Sequence, residues 1–276
     1  MTNHRVSSID AYSHFDTAAL RANYRLGGLF QPGMVNLVYT DLDRVIVGAA
    51  VPIAEPLVLE AGEQLRAEYF CERRELGAIN LGGDGAVVVD GKTHAVASRE
   101  CLYVGRGSKA LCFSSKDASN PAQFYFLSYP AHAEYPTVHA TVADASKLLL
   151  GSKEDANERH LYQYIHPGGI RSCQLVMGFT ELQPGSVWNT MPPHAHDRRS
   201  EVYCYFDIAA GHRVAHFMGE PSETRVLWIG EKDVVLSPSW SVHCGAGTNS
   251  YSFVWGMGGE NQRFDDMDGF PLSELR

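Results

Sequence analysis

What this 276-residue chain lacks narrows it before any motif does. Positive charge is in short supply: 23 lysines and arginines against 32 acids leave a net charge of −9. That balance argues against nucleic acid as the main partner, because phosphate binding needs a basic face, and it does not favour an anionic membrane surface. An acidic small molecule stays open, provided local arginine or lysine holds it against the overall field. No apolar run approaches the length of a membrane span, and the polar "MTNHRVSSIDAYSHFDTAALRANY" at the start has no apolar signal region. The cytoplasm is therefore the expected compartment. The chain also has no Cys-x-x-Cys pair. Its cysteines (Cys71, Cys101, Cys112, Cys173, Cys204 and Cys244) are scattered, mostly in strand-like runs, so buried reduced thiols are expected in place of a disulfide framework or a zinc ribbon.

Helical periodicity is sparse as well. Residues 9–24 carry one amphipathic pattern, and "VADASKLLLGSKEDANERH" (142–160) suggests a short helix and loop. What fills the chain is a series of short β-rich runs, such as "RVIVGAAVPI", "QFYFLSYP", "EVYCYFDI" and "YSFVWGM", separated by Gly, Pro or Asp. Spacing of this kind predicts an all-β sandwich or barrel, with 45% hydrophobic residues to fill its core. The glycines of "GGDGAVVVDGK" precede a strand and not a helix, so they read as a hairpin turn and not as a phosphate cradle. Two halves are visible in outline. "CERRELGAINL" from Cys71 lies over "HDRRSEVYCYF" from His196 with one residue's gap, and "ECLYVGRGSKA" (100–110) lies over "DVVLSPSWSVH" (233–243). The expected organisation is an N-terminal half (1–140), a connecting helix or loop (141–160) and a C-terminal half (161–276).

The stretch "MPPHAHDRRSEVYCYFDI" (191–208) concentrates the chemistry. With 12 histidines in the chain, a His-x-His somewhere arises by chance about half the time, so the surroundings must decide. On a strand, His194 and His196 point to the same face. Glu201 follows across the polar turn on the next strand of an expected hairpin, and His243 comes after "SPSWSV" on a neighbouring strand. Three imidazoles and one carboxylate suit Zn²⁺, Fe²⁺, Mn²⁺ or Ni²⁺ and leave positions open for water or substrate. This H-x-H-x₄-E…H spacing matches the metal site of cupin barrels. In the first half, Tyr69, Cys71 and Ala110 stand where the three histidines would be, which places the site in the C-terminal half. His212 and His216 have helical metal-pair spacing but lie on a strand-like run, so one is expected to meet solvent and the other to pack, with no metal between them. His166, in "YQYIHPGG", is expected either to cap a strand end or to face the site. Trp240 and Trp255 read as packing residues.

Longer segments go further. "YQYIHPGGIRSCQLVMGFTELQPGSVWNTMPPHAHDRRSEVYCYF" and "LSPSWSVHCGAGTNSYSFVWGMGGEN" closely resemble the 5-keto-4-deoxyuronate isomerases, and the resemblance runs on through "NLGGDGAVVVDG" and "GLFQPGMVNLVYTDLDRVIVGAAVP". It implies a mainly β bicupin, two tandem jelly-roll barrels with a few short helices. It further implies a homohexamer, and a zinc ion (Mn²⁺ or Fe²⁺ as alternatives) on His194, His196, Glu201 and His243. The implied activity is aldose–ketose isomerisation of 4-deoxy-L-threo-5-hexosulose uronate to 3-deoxy-D-glycero-2,5-hexodiulosonate in pectin and uronate breakdown. Such chemistry needs a Lewis acid, a base and a cation for the substrate carboxylate. The candidates for the base are Glu201, His166 and Tyr162. Arg171 and Gln174 are the candidates for substrate binding, while Arg198 and Arg199 are expected to be solvated or paired. An iron-dependent cupin dioxygenase and a non-enzymatic sugar-binding cupin remain alternative readings of the same ligand set.

Overall fold

The computed structural model describes residues 1–263 and 265–276. The chain is mainly β, with four short helical segments. The patterned stretch at 9–24 forms two helices, Ile9–Tyr12 and Thr17–Tyr24, the second capped by Asp16, whose carboxylate accepts from Ala19 N at 2.7 Å. The helix expected within 142–160 does not form. Ser146–Leu150 is instead an edge strand paired antiparallel to Arg159–Ile165. Its run of leucines satisfies a strand's demand for a long apolar surface as readily as a helix's, a recognised ambiguity of short apolar runs.

The chain divides into two compact units that do not follow a single cut. One comprises Met1–His4, Gly28–Ala145 and Tyr164–Met177; the other comprises Arg5–Gly27, Ser146–Gln163 and Gly178–Arg276. The two units share a central strand order. One seven-stranded sheet runs Thr2–His4, Val35–Thr40, Ile46–Ala50, Phe124–Pro130, Arg74–Asn80, Cys101–Val104, Val138–Ala140. The other runs Ser146–Leu150, Arg159–Ile165, Val176–Leu182, Ser252–Gly259, Arg199–Phe206, Val234–Ser237, Arg25–Leu26. Their five central strands follow the same order. The ladders align Arg74, opposite Pro130, with Arg199, opposite Gly259, so Leu76 occupies the place of Glu201 and no gap is needed in the overlay.

The first unit fills its interior with apolar side chains, among them Phe70, Cys71, Leu76, Leu111, Phe113 and Phe126. Each large one stabilises the unit by roughly 1.5–3 kcal/mol of burial. Its one fully buried carboxylate, Glu75, is saturated. It accepts from the Tyr103 hydroxyl at 2.8 Å and from the backbone N–H groups of Cys173, Gln174 and Leu175 at 2.6, 2.9 and 2.9 Å. The second unit closes against a five-stranded sheet ordered Glu223–Ile229, Val214–Glu220, Val242–Gly247, Trp188–Ala195, Asp268–Gly269. The N-terminal helices belong to this unit. Tyr12 donates its hydroxyl to the carbonyls of Met218 and Glu223, Trp240 packs edge-on against Tyr12 and Tyr24, and Arg25 forms a two-pronged ion pair with Asp233. All six cysteines are free.

Candidate metal centre and its cavity

Strand alternation sends His194 and His196 inward from the end of Trp188–Ala195, and Glu201 inward from Arg199–Phe206. These two strands do not form the expected hairpin. The first pairs with Val242–Gly247 and the second with Val234–Ser237 and Ser252–Gly259, so residues 196–198 turn a corner between two sheets. The corner suits the chemistry better than a hairpin would, because it brings ligands from opposing walls of one barrel together. His243 sits directly opposite His194 in the ladder. The ring centroids of the three histidines lie 4.7–5.2 Å apart. One potential ligand atom from each of His194, His196, Glu201 and His243 falls within 4.8 Å of all the others.

The second nitrogens of the rings are already engaged. A ring nitrogen of His194 bonds the Pro192 carbonyl, His196 Nδ1 lies 2.6 Å from the Asp266 carbonyl, and His243 Nδ1 lies 3.2 Å from Ser237 Oγ. Such outer partners fix tautomer and ring orientation at metal sites. They leave His243 Nε2 buried without a hydrogen bond, 2.9 Å from Glu201 Oε2, which is 3.4 Å from His196 Nε2. A buried orphan nitrogen beside a carboxylate and two further imidazoles is a donor set that a divalent cation satisfies.

The electrostatics agree with that reading. Burial pushes the His194 imidazole down to about 3, and the neighbouring His243 and His196 add to the effect, so the ring stays neutral as a ligand must. Burial alone would raise the Glu201 carboxyl, but His243 and His196 hold it well below the usual carboxylate range. Tyr203 is pushed far above its ordinary value by burial and by the charge of Glu201, and its side chain hydrogen-bonds both Glu201 and Thr190. Thr190 holds a φ of +53°, a left-handed conformation that is uncommon for a β-branched residue, just before the ladder register shifts between Asn189 and His194. Deeper in the barrel, Tyr205 Oη bonds His216 Nδ1 at 2.7 Å, and burial drives His216 to about 3. His216 thus packs, as its strand context predicts, while His212 bonds Thr248 at the surface.

The ligand cluster opens on a cavity of about 410 Å³, whose walls include Arg159, Leu161, Thr180, Thr190, Tyr203 and Trp255. The remaining sequence candidates lie elsewhere. Tyr162 faces away from the cavity and stacks on Phe179, with centroids 4.4 Å apart. His166 belongs to the first unit, where its Nδ1 accepts from Gly168 N in a tight turn. Arg171 lies exposed over the Tyr135 ring, and Gln174 donates to the Pro130 carbonyl, both within the first unit. Arg198 pairs with Asp266 and Asp268, and Arg199 is fully buried with its guanidinium on the Asp266 carbonyl. Sequence reading passed over Arg159, Thr190 and Asp266. For Arg159 a signal existed: period-two alternation groups it with Leu161, opposite His160 and Tyr162. Asp266 has none, since its role depends on a distant segment folding back beside His196.

Comparison with known proteins is consistent with this geometry. The KduI/IolB family profile matches residues 29–269. The 4-deoxy-L-threo-5-hexosulose-uronate ketol-isomerase of Halalkalibacterium halodurans is 48% identical over 276 residues, covering 100% of both chains. The enzyme of the same name from Formosa agariphila is 52% identical over 270 residues, covering 98% of this chain and 96% of that one. Among solved structures, an IolB-like protein from Salmonella typhimurium superposes with a TM-score of 0.67 at 13% identity, over 82% of this chain and 87% of that one. Oxalate decarboxylase from Lactobacillus farciminis does so with a TM-score of 0.60 at 10% identity, over 87% of each. These two likenesses establish a cupin-type fold.

Proposed function

Because the chain belongs to the KduI/IolB family and its relatives are ketol-isomerases, we propose that it isomerises 4-deoxy-L-threo-5-hexosulose uronate to 3-deoxy-D-glycero-2,5-hexodiulosonate. The observation that carries this reading is the convergence of His194, His196, Glu201 and His243, the first three of them on the wall of a cavity large enough for one sugar. These four residues would hold a zinc ion. A bound divalent cation supplies Lewis acidity to the carbonyl and the adjacent hydroxyl of an α-hydroxy aldehyde.

The conversion moves one hydrogen from carbon 2 to carbon 1 and one from oxygen 2 to oxygen 1, with no net oxidation. Among the described residues Glu201 is the one carboxylate in the cavity wall, and the neighbouring His243 and His196 keep it ionised, which suits it to ligate a cation and makes it a weak proton acceptor. Tyr203 keeps its own proton and is placed, with Thr190, to hydrogen-bond an oxygen of the sugar. The apolar walls from Leu161 and Trp255 exclude water around the transferring hydrogens. By the same resemblance, the protein works as a homohexamer in the cytoplasm on uronates released from pectin.

The test is to load the protein separately with zinc, manganese and iron and follow the sugar's carbonyl signals by NMR while recording dissolved oxygen. Migration of the carbonyl without oxygen uptake is the expected result. A sugar left unchanged by all three forms defeats the proposal, and stoichiometric oxygen uptake replaces it with a dioxygenase.

A further inference from the structure

The cavity wall contains an arginine with no acid to answer it. Arg159 stands at the first position of the strand Arg159–Ile165, opposite Leu150, and shares its inward face with Leu161. Among the described residues its only hydrogen bond runs from Nη1 to the Asn157 carbonyl at 2.9 Å, and no carboxylate lies within ion-pair distance. Arg25 is paired with Asp233, Arg198 with Asp266 and Asp268, and Arg225 with Glu223, whereas Arg21, Arg213 and Arg276, which bond backbone carbonyls only, line no part of this cavity. In a chain of net charge −9, leaving one partly desolvated guanidinium unneutralised beside a cavity is costly unless a ligand supplies the anion. Burial also lowers the Arg159 pKa from its ordinary value, the mark of a cation that water solvates poorly. Among the described residues no other lysine or arginine lines this cavity.

We infer that Arg159 binds the carboxylate of the sugar acid, and so sets the polarity of the substrate in the cavity. The carboxylate end lies on Arg159 and the aldehyde end is directed to the His194, His196, Glu201 and His243 cluster. A guanidinium presents paired donors that match the two carboxylate oxygens, which fixes orientation as well as affinity. With Nη1 committed to a backbone carbonyl, the Nη2 and Nε edge remains for the ligand. The same residue would then discriminate against neutral hexoses, which offer no charge to compensate it. This assignment rests on the isomerase reading for the identity of the natural substrate, but not for the class of ligand, a hexuronate.

Two measurements separate the two claims. Equilibrium binding to the metal-loaded protein is measured by calorimetry with D-glucuronate, a non-reacting hexuronate, and with its methyl ester. Wild type is expected to bind the acid about 10–150-fold more tightly than the ester, the range of one charge-assisted hydrogen-bonded pair. Arg159→Met is expected to erase that preference, while Arg159→Lys, which keeps the charge without the fork, retains part of it. Equal affinity for acid and ester in wild type overturns the assignment outright, without recourse to a variant. A preference that survives Arg159→Met, in protein whose metal content and melting temperature match wild type, overturns it too. Turnover of the 4-deoxy-5-keto uronate is then compared with turnover of its methyl ester. Wild type that binds the acid selectively and converts neither substrate defeats the isomerase reading alone. Wild type that converts both equally well defeats the Arg159 assignment alone.

Discussion

At the scale of single residues, the centre is a set of three imidazoles gathered around one carboxylate beside a cavity. His194 and His216 are both pushed down to about 3 by burial, far below their ordinary value of 6.5. The unfolded chain therefore binds protons that the folded chain refuses, and apo-protein stability falls as pH drops from about 6.5 towards 3 and is flat above that window. Thermal melts of metal-free protein between pH 7 and pH 4 should show that decline. His216→Phe, which removes one of the two groups without touching a ligand, should make it shallower; an unchanged slope would mean that His216 already titrates normally in the fold. His243→Ala removes a ligand that nothing else replaces. Metal content by plasma mass spectrometry should fall to background, with kcat/KM reduced by more than about 100-fold, since even an outer-shell loss costs 10–100-fold.

Individual elements owe their placement to contacts that a sequence pattern does not announce. The strand Val176–Leu182 passes so close to its neighbours that a Cβ on Gly178 would lie 2.1 Å from the Tyr162 carbonyl oxygen and 2.5 Å from the Trp255 ring. Backbone cannot give way as a flexible side chain can. Gly178→Ala should therefore destabilise the protein by about 1–3 kcal/mol, read as a lower denaturant midpoint with an unchanged slope. The corner at 196–198 depends on Asp266, whose carboxylate takes Arg198 and whose carbonyl orients His196. Asp266→Ala should weaken metal binding by about 10–100-fold in a competitive chelator titration while leaving the strands intact by circular dichroism.

Much of this arrangement was legible. Alternation along 194–196 and 201–205 placed three ligands on inward faces, and the absence of histidine at Tyr69, Cys71 and Ala110 located the centre in the second half. The corner was not, because a four-residue polar link joins two strands equally well within one sheet or across two. Nor was the strand at 146–150, where leucines at adjacent positions carry no period. Arg159 was not legible either, because it falls inside the stretch 142–160 that reads as a helix and loop, where strand alternation assigns no face until the strand is known.

Considered as a whole, the molecule is two units of shared central strand order, one with an apolar interior and the other with the cluster able to hold a metal. Among the described residues there is one cluster able to hold a metal, so loading should saturate at one ion per chain. Chelation should leave the β-structure in place but lower the melting temperature, because ligand linkage at 1,000-fold excess over Kd is worth about 4 kcal/mol. The two units are also interlaced along the chain. Thr2–His4 adds a parallel strand beside Val35–Thr40 in one unit, whereas Arg25–Leu26 joins Val234–Ser237 in the other, and Glu75 clasps the Cys173–Leu175 backbone to the first. A gene cut at the obvious seam, after Ala145, would yield two fragments that each lack a piece encoded by the other. Neither should be soluble alone, and the pair should recover activity only when synthesised together. Segments shared out in this way bind the two units to a single uninterrupted chain.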